Sequence, residues 1–267
     1  MGKYMRLIVG TCILSIIIIA LSACSASQKS APAQDVDADL RQSFAKYQDL
    51  LTITEYDEVT APEEFAYLPL EDDSLVGVYG RLTDMKTFGD AIPVRQTVYT
   101  KLRSVAAQLK RINEDYQLMV VYGYRDLAIQ EKYFNEILAD AQGDFGDEIE
   151  LYESVHTKVA IPSVSGHPTG GAVDVGIYDA RQNRMLDFGT DILDFSTTAC
   201  YTFSKKISQH QRDNRELLRS LMLEEGFAPY DGEWWHFSYG DKEWALYYGH
   251  EAALYRQVTP DIAYGIK

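Results

Sequence analysis

Two short stretches of this chain bring together residue types able to do metal and acid–base chemistry. Ser165-Gly166-His167-Pro168-Thr169-Gly170-Gly171-Ala172-Val173-Asp174 offers an imidazole and a carboxylate, and Glu233-Trp234-Trp235-His236, about sixty residues on, offers one more of each. Two imidazoles and a carboxylate form the protein part of a catalytic Zn²⁺ site whose fourth position is left to water, and the second carboxylate can act as general base. The expectation is a zinc peptidase. A plainer reading stays open for His236, which beside two tryptophans could be a satisfied core histidine. His156, His210 and His250 have no partners at ligand spacing and read as structural or surface residues.

The elements that must position these groups are legible around them. Ala172, Val173, Val175 and Ile177 make a buried strand of Gly171 to Tyr178, with Asp174 inside it and His167 in the turn before it. A carboxylate in so apolar a strand is costly unless a metal or a cation pairs with it. Gly170 and Gly171 permit the bend that would carry His167 back over Asp174. Downstream, the turn Pro229-Tyr230-Asp231-Gly232 leads into Glu233 to Phe237, which reads as a strand. Successive strand residues face opposite sides, so Glu233 and His236 can share a site only if the chain bends or bulges between them. A further strand, Leu118 to Tyr122, ends at Gly123-Tyr124-Arg125, and Asp126 is a natural N-cap for a helix through Ile129, Tyr133, Phe134, Ile137 and Leu138. At that junction Arg125 either points into a cleft or sits in a surface ion pair.

Three more segments have helical character. Val94, Val98, Leu102, Val105, Leu109 and Ile112 form one stripe over Val94 to Glu114. Gln211 to Glu225 turns Leu217, Leu218, Leu221 and Met222 inward and stops at Gly226. Residues 37–51 show a helical period through Leu40, Phe44, Tyr47 and Leu51. Residues 52–93 read as short strands and loops, and 140–156 as an acidic loop. Asp144-Phe145-Gly146 and Asp187-Phe188-Gly189 spell a kinase tripeptide, but no glycine-rich loop or strand lysine of the kinase type accompanies them. The aspartates from Asp187 to Asp194, Asp194 itself excepted, read as a solvated turn rather than a calcium site.

Composition bounds the rest. The 267 residues are 46% apolar, enough for one domain with a substantial core. A net charge of −15 argues against a basic, phosphate-binding face, and no nucleic-acid partner is expected. Lys3 and Arg6 precede an apolar run from Leu7 to Leu21, too short for a comfortable membrane span, which closes at Leu21-Ser22-Ala23-Cys24. That closing tetrad resembles the lipobox of bacterial lipoproteins. It implies a signal peptide at 1–23, a lipidated Cys24, a tether over 24–36 and a domain over 37–267, held outside the cytoplasmic membrane. The Ser/Ala/Gln/Pro composition of the tether cannot bury a core. With Cys12 removed and Cys24 lipidated, Cys200 has no partner for a disulfide, and it reads as a small buried side chain rather than a nucleophile.

Ser-x-His-x-x-Gly-x-Ala-x-Asp followed by Glu-Trp-Trp-His resembles the VanX-type D-alanyl-D-alanine dipeptidases, zinc D-Ala-D-Ala metallopeptidases with the Hedgehog/DD-peptidase fold. The likeness covers residues 55–240 and includes Gly123-Tyr124-Arg125 and the helix with Asn214-Arg215 that runs to Gly226-Phe227. It implies an α+β single domain with a central, mainly antiparallel sheet flanked by helices. It implies one Zn²⁺ on His167, Asp174 and His236, with Glu233 as general base to the attacking water and Arg125 stabilising the tetrahedral oxyanion. Ser165 would help hold the substrate and Asp194 would bind its ammonium. The Trp234-Trp235 pair favours the dipeptidase branch, since related carboxypeptidases tend to place Pro before the Trp.

Two positions depart from the family pattern. Asp126 stands where these dipeptidases have Pro, and Tyr122 replaces an Asp expected before Gly123. Three functions follow for comparison with the structure: a dipeptidase acting on free D-Ala-D-Ala, a D,D-carboxypeptidase trimming peptidoglycan stem peptides, or a wall-binding lipoprotein without turnover.

Overall fold

A computed structural model describes residues 36–55, 64–68, 74–78, 83–86 and 89–266. The signal segment, Cys24 and nearly all of the tether lie outside the described residues. At the centre is a six-stranded sheet in the order Leu75–Gly77, Tyr116–Tyr122, Ala172–Asp179, His236–Ser238 and Ala228–Pro229, with Arg184–Met185 paired on the side of Ala172–Asp179. The first pair is parallel and the others antiparallel, so the mainly antiparallel α+β architecture is the one expected. Ala172–Asp179 is covered on both faces, which is why its sequence is nearly continuous in apolar residues instead of alternating. Its register sets Asp174 opposite Tyr122 on one side and His236 on the other. One row across three strands therefore sets Tyr122, Asp174 and His236 side by side.

The helix Gln96–Ile112 lays Val98, Leu102, Val105, Ala106 and Leu109 into the core. It starts later than the apolar stripe suggests. Ile92 precedes Pro93, which biases it toward extended backbone, and Ile92–Arg95 pairs antiparallel with Phe65–Leu68, so Val94 is a strand residue. At the other end Ile112 is exposed and outside the stripe. Gln209–Glu224 begins two residues before Gln211 because Ser208 and Gln211 form a capping box, and it ends at Gly226 with φ of 79°. Asp126 caps Leu127–Ala141 by accepting from the Ala128 N–H at 3.2 Å, which gives the departure from Pro a local purpose.

Two expectations need correction. The acidic loop at 140–156 contains a helix, Glu148–His156, capped by the Asp147 carboxylate, and its early Glu148 and Glu150 suit the positive end of a helix. The helical period over 37–51 breaks into a 3₁₀ turn, Leu40–Ser43, and a single helical turn, Tyr47–Leu50, with Phe44 extended between them. Tertiary contacts override the local pattern there. The fully buried Asp37 carboxylate accepts from the Thr198 and Ser204 hydroxyls and the Lys205 N–H, while the Phe44 ring packs on Tyr201 and Tyr230.

Candidate active site

Each half of the site is bent into place by its local sequence. His167 opens a 3₁₀ turn, His167–Thr169, closed by Gly170 at φ of 75°, a conformation an L side chain adopts only with strain. That turn feeds directly into the strand carrying Asp174. Gly123 is packed so closely on Ile92-Pro93-Val94 that a Cβ there would lie 2.7 Å from the Pro93 carbonyl oxygen. This close fit delivers the Gly123 carbonyl to His167, whose Nδ1–H donates to it at 2.8 Å. With Nδ1 committed as donor, Nε2 keeps its lone pair and faces Asp174 Oδ2 at 3.6 Å.

The second half differs from the expected strand. Glu233 to Trp235 form a turn: the Glu233 N–H donates to the Tyr230 carbonyl at 3.0 Å and the His236 N–H to the Glu233 carbonyl at 3.2 Å. The strand begins only at His236. The parity problem is resolved by this turn, and Glu233 and His236 both reach the site. Its tryptophans anchor the bend. Trp235 is fully buried against Phe195, and Trp234 stacks on Phe188 while its Nε1–H donates to the Thr190 hydroxyl at 2.8 Å.

His167, Asp174 and His236 converge as buried residues, each offering one ligand atom within 4.8 Å of the others. His236 Nδ1 lies 3.1 Å from Asp174 Oδ1. Donors in a tetrahedral zinc site with bonds near 2.0–2.1 Å stand roughly 3.3 Å apart, so the spacing suits such an ion. The residues fit in a second respect, because Asp174 Oδ2 is buried with no hydrogen-bond donor. The outer nitrogen of His236, Nε2, faces Glu243 Oε2 at 3.4 Å. Each histidine thus has an oxygen beyond its ring to fix the tautomer.

Electrostatics follow from burial and these neighbours. Burial works against the Asp174 charge, yet His167 and then His236 hold its carboxyl well below the ordinary range. Burial, then the nearby Arg125, lower the His167 pKa. Burial also acts to lower His236, but the carboxylates of Asp174 and Glu243 overcome it and hold this imidazole well above its usual value. Glu233 is pushed up to about 8 by burial, opposed by His236 and aided by the Asp174 and Glu243 charges.

Glu233 lines a cavity of about 230 Å³ together with Arg125, His167 and Asp174, and with apolar walls from Tyr133, Leu193 and Phe195. Arg125 is buried rather than in a surface ion pair. Its Nη1 donates to Gln130 Oε1 at 2.8 Å, its Nη2 lies 3.9 Å from Asp174 Oδ2, and its Nε has no acceptor among the described residues. Ser165, whose buried Oγ has no hydrogen-bond partner among the described residues, borders a smaller chamber of about 50 Å³ with His167, Gln130, Tyr230 and Glu243. Asp194 is on the outer side. It lines an open groove of about 690 Å³, and its Oδ1 accepts from the Ser196 N–H at 3.0 Å, whereas its neighbours Leu193 and Phe195 face the cavity. Leu193, at φ of 62°, turns this wall between the two spaces.

The sequence did not point to Glu243, Gln130 or the placement of His156. His156 is buried, accepts from the Ile161 N–H through Nδ1 at 3.3 Å, and borders the small chamber. His210 is exposed, and His250 stacks on Trp244. Cys200 is buried as expected, its thiol pushed up to about 12 by burial with Glu233 adding to the effect.

Comparison with known proteins identifies the family. Residues 84–258 match the family model for peptidase M15, described as D-Ala-D-Ala dipeptidase. A D-alanyl-D-alanine dipeptidase of Synechocystis is 27% identical over 191 residues, spanning 62% of this chain and 76% of that one. A D-alanyl-D-alanine dipeptidase of Enterococcus faecalis is 27% identical over 161 residues, spanning 57% of this chain and 78% of that one. Among solved structures, VanYB in complex with D-alanine-D-alanine aligns over 76% of this chain and 94% of its own, at 17% identity and a TM-score of 0.35. The family match takes in every residue of the cluster from Arg125 to His236, and this chain belongs to the M15 family of D-Ala-D-Ala dipeptidases and is a metallopeptidase.

Proposed function

We propose that the protein is a zinc-dependent D,D-dipeptidase that hydrolyses D-alanyl-D-alanine in the cell envelope. The observation that carries this reading is the convergence of His167, Asp174 and His236, the first two of them lining a small cavity that also holds Glu233 and Arg125. Zinc held by His167 Nε2, an Asp174 oxygen and His236 Nδ1 would supply Lewis acidity, acidifying water and polarising the peptide carbonyl. Glu233 takes the proton of the attacking water as its oxygen bonds to the carbonyl carbon. It then passes that proton to the leaving amine as the C–N bond breaks. The Arg125 guanidinium faces the negative charge that develops on the carbonyl oxygen. Ser165, at the smaller chamber, and Asp194, at the groove boundary, are the proposed substrate contacts.

Size favours the dipeptide. A cavity of about 230 Å³ lies below the roughly 300–1,000 Å³ of pockets for drug-sized ligands. The carboxypeptidase reading has one observation in its favour, the open groove just beyond Leu193 and Phe195, which could take the remainder of a stem peptide. Turnover of free D-Ala-D-Ala, its N-acetyl form and a stem pentapeptide separates the two. If the free ammonium is recognised by a carboxylate, acetylation removes a charge-assisted hydrogen bond of roughly 1.5–3 kcal/mol and lowers turnover by about one to two decades. Equal rates on free and acetylated dipeptide would replace the dipeptidase with the carboxypeptidase.

Location rests on the sequence alone. We infer a lipid anchor at Cys24 and a tether that leaves the domain outside the cytoplasmic membrane, from the lipobox-like Leu21-Ser22-Ala23-Cys24. Metabolic labelling with a palmitate analogue should be lost in Cys24→Ser, and labelling that persists in that variant sinks the inference.

A further inference from the structure

The outer side of His236 is built with a charged group that the hydrolytic chemistry does not use. Glu243 is the second residue of the helix Lys242–Tyr248, whose start is fixed by Asp241, a buried cap that accepts from the Trp244 N–H at 2.9 Å. From there Glu243 Oε2 reaches to 3.4 Å from His236 Nε2, on the far side of the ring from Asp174. Its side chain is only 15% exposed, and its other oxygen, Oε1, is buried without a hydrogen-bond partner at the chamber shared with Tyr230 and Ser165. A carboxylate half-sequestered in this way has a cost that surface charge bookkeeping does not repay. Within ion-pair distance of it among the described residues is the ring of a ligand candidate, His236.

We propose that Glu243 is a positioning residue for the metal, accepting the Nε2–H of His236 so that Nδ1 is the nitrogen presented to the ion. The idea rests on the zinc reading above. A metal-bound imidazole needs its second nitrogen to donate, which selects the tautomer, fixes the ring plane and makes the ligating nitrogen more basic. His167 meets this need with the neutral Gly123 carbonyl. Giving His236 an anion instead makes it the stronger donor of the pair, and the anion also offsets part of the charge of a divalent cation flanked by Arg125. The two histidines are thereby unequal. Loss of the oxygen behind His236 should cost more affinity than its distance from the metal suggests.

The test is zinc affinity, measured by competition with a chromophoric chelator, for the full chain and for Glu243→Ala, Glu243→Asp and Glu243→Gln. Affinity should fall about 10–100-fold in Glu243→Ala, the range typical when an outer partner of a metal-bound histidine is removed. Glu243→Asp is too short to reach and should behave alike, while Glu243→Gln, whose amide oxygen can still accept the proton, should lose less. Activity of the alanine variant should return toward wild type in excess zinc, since no group touching substrate is changed. If Glu243 served only to begin its helix, the variants would melt lower without metal and yet share the wild-type zinc affinity, and the proposal would be overturned. Wild-type affinity in variants that also melt normally would overturn it as well. Failure of the zinc reading is distinguishable, because the wild type itself would then take up no stoichiometric zinc.

Discussion

Glu233→Gln should lower kcat about a thousandfold while leaving the fold and the metal in place. General base catalysis contributes about 10²–10⁴-fold, and a factor of a thousand is about 4 kcal/mol of barrier. The amide keeps the shape of the side chain and cannot accept the proton. Because Glu233 lines the cavity without belonging to the three-residue ligand cluster, elemental analysis after dialysis should find the variant as metal-loaded as the wild type. KM should change little, since the loss falls on the transition state rather than on substrate binding. A variant that lost metal along with activity would make Glu233 a ligand and remove Asp174 or His236 from that role.

Acidity gives the same residue a second signature. The base is the carboxylate form, so kcat/KM should rise with pH as Glu233 loses its proton, and the rising limb should vanish in Glu233→Gln. Burial pushes Glu233 up to about 8 in the protein without metal, and a divalent cation beside it would bring the limb lower. Stability moves the other way. A carboxyl whose folded pKa is raised from 4.5 to about 8 binds a proton in the folded but not the unfolded chain between those values. Its contribution is therefore full at low pH and lost as pH rises toward 8. The metal-free variant, which keeps a neutral side chain throughout, should melt no lower than wild type at pH 8.

The residues that do chemistry were legible because burying them is expensive. Asp174 stood out as a carboxylate in an apolar strand, and the structure gives it two imidazoles and a guanidinium. Strand parity demands a bend between Glu233 and His236 if both serve one site, although the local pattern reads as strand through Trp234 and Trp235. Hydrogen bonds from Tyr230 to His236 decide for the turn, and they depend on strands that meet only in the fold. Glu243 was invisible for a different reason. An acidic residue in the first turn of a helix is what helix electrostatics favours anywhere, so nothing in Asp241-Lys242-Glu243 distinguishes a carboxylate behind a metal ligand. The 37–51 segment failed through tertiary override: its period is helical, but the buried Asp37 and Phe44 hold it against residues more than 150 positions away. Asp194 sits where two spaces meet, which spacing along the chain does not reveal. Leu193 and Phe195 line the cavity, while Asp194 lines the groove beside it.

Arg125→Lys should lower kcat/KM by about 10²–10³-fold, in spite of the retained charge. Loss of one preorganised donor to a developing oxyanion costs about 2.7–4 kcal/mol, and a lysine cannot reproduce the planar fork of the guanidinium. The structure shows where that fork is committed and where it is not. Nη1 is held by Gln130 Oε1 at 2.8 Å, and Gln130 is itself tied to the Ala160 carbonyl at 2.7 Å, so the plane is fixed from one side. Nη2 stands 3.9 Å from Asp174 Oδ2, beyond hydrogen-bond range, and faces the same cavity as Glu233. A purely structural arginine would close that gap, because a buried guanidinium with an unmet Nε gains most from a tight bidentate pair. The structural alternative makes a different prediction: Arg125→Lys would weaken metal binding or lower the melting temperature through Asp174 while sparing the rate of fully loaded enzyme. Measuring kcat/KM at saturating zinc beside metal content and thermal melting separates the two outcomes. A loaded, stable variant that has lost two to three decades of rate places the guanidinium on the reacting carbonyl, and one with normal rate confines it to the scaffold around Asp174.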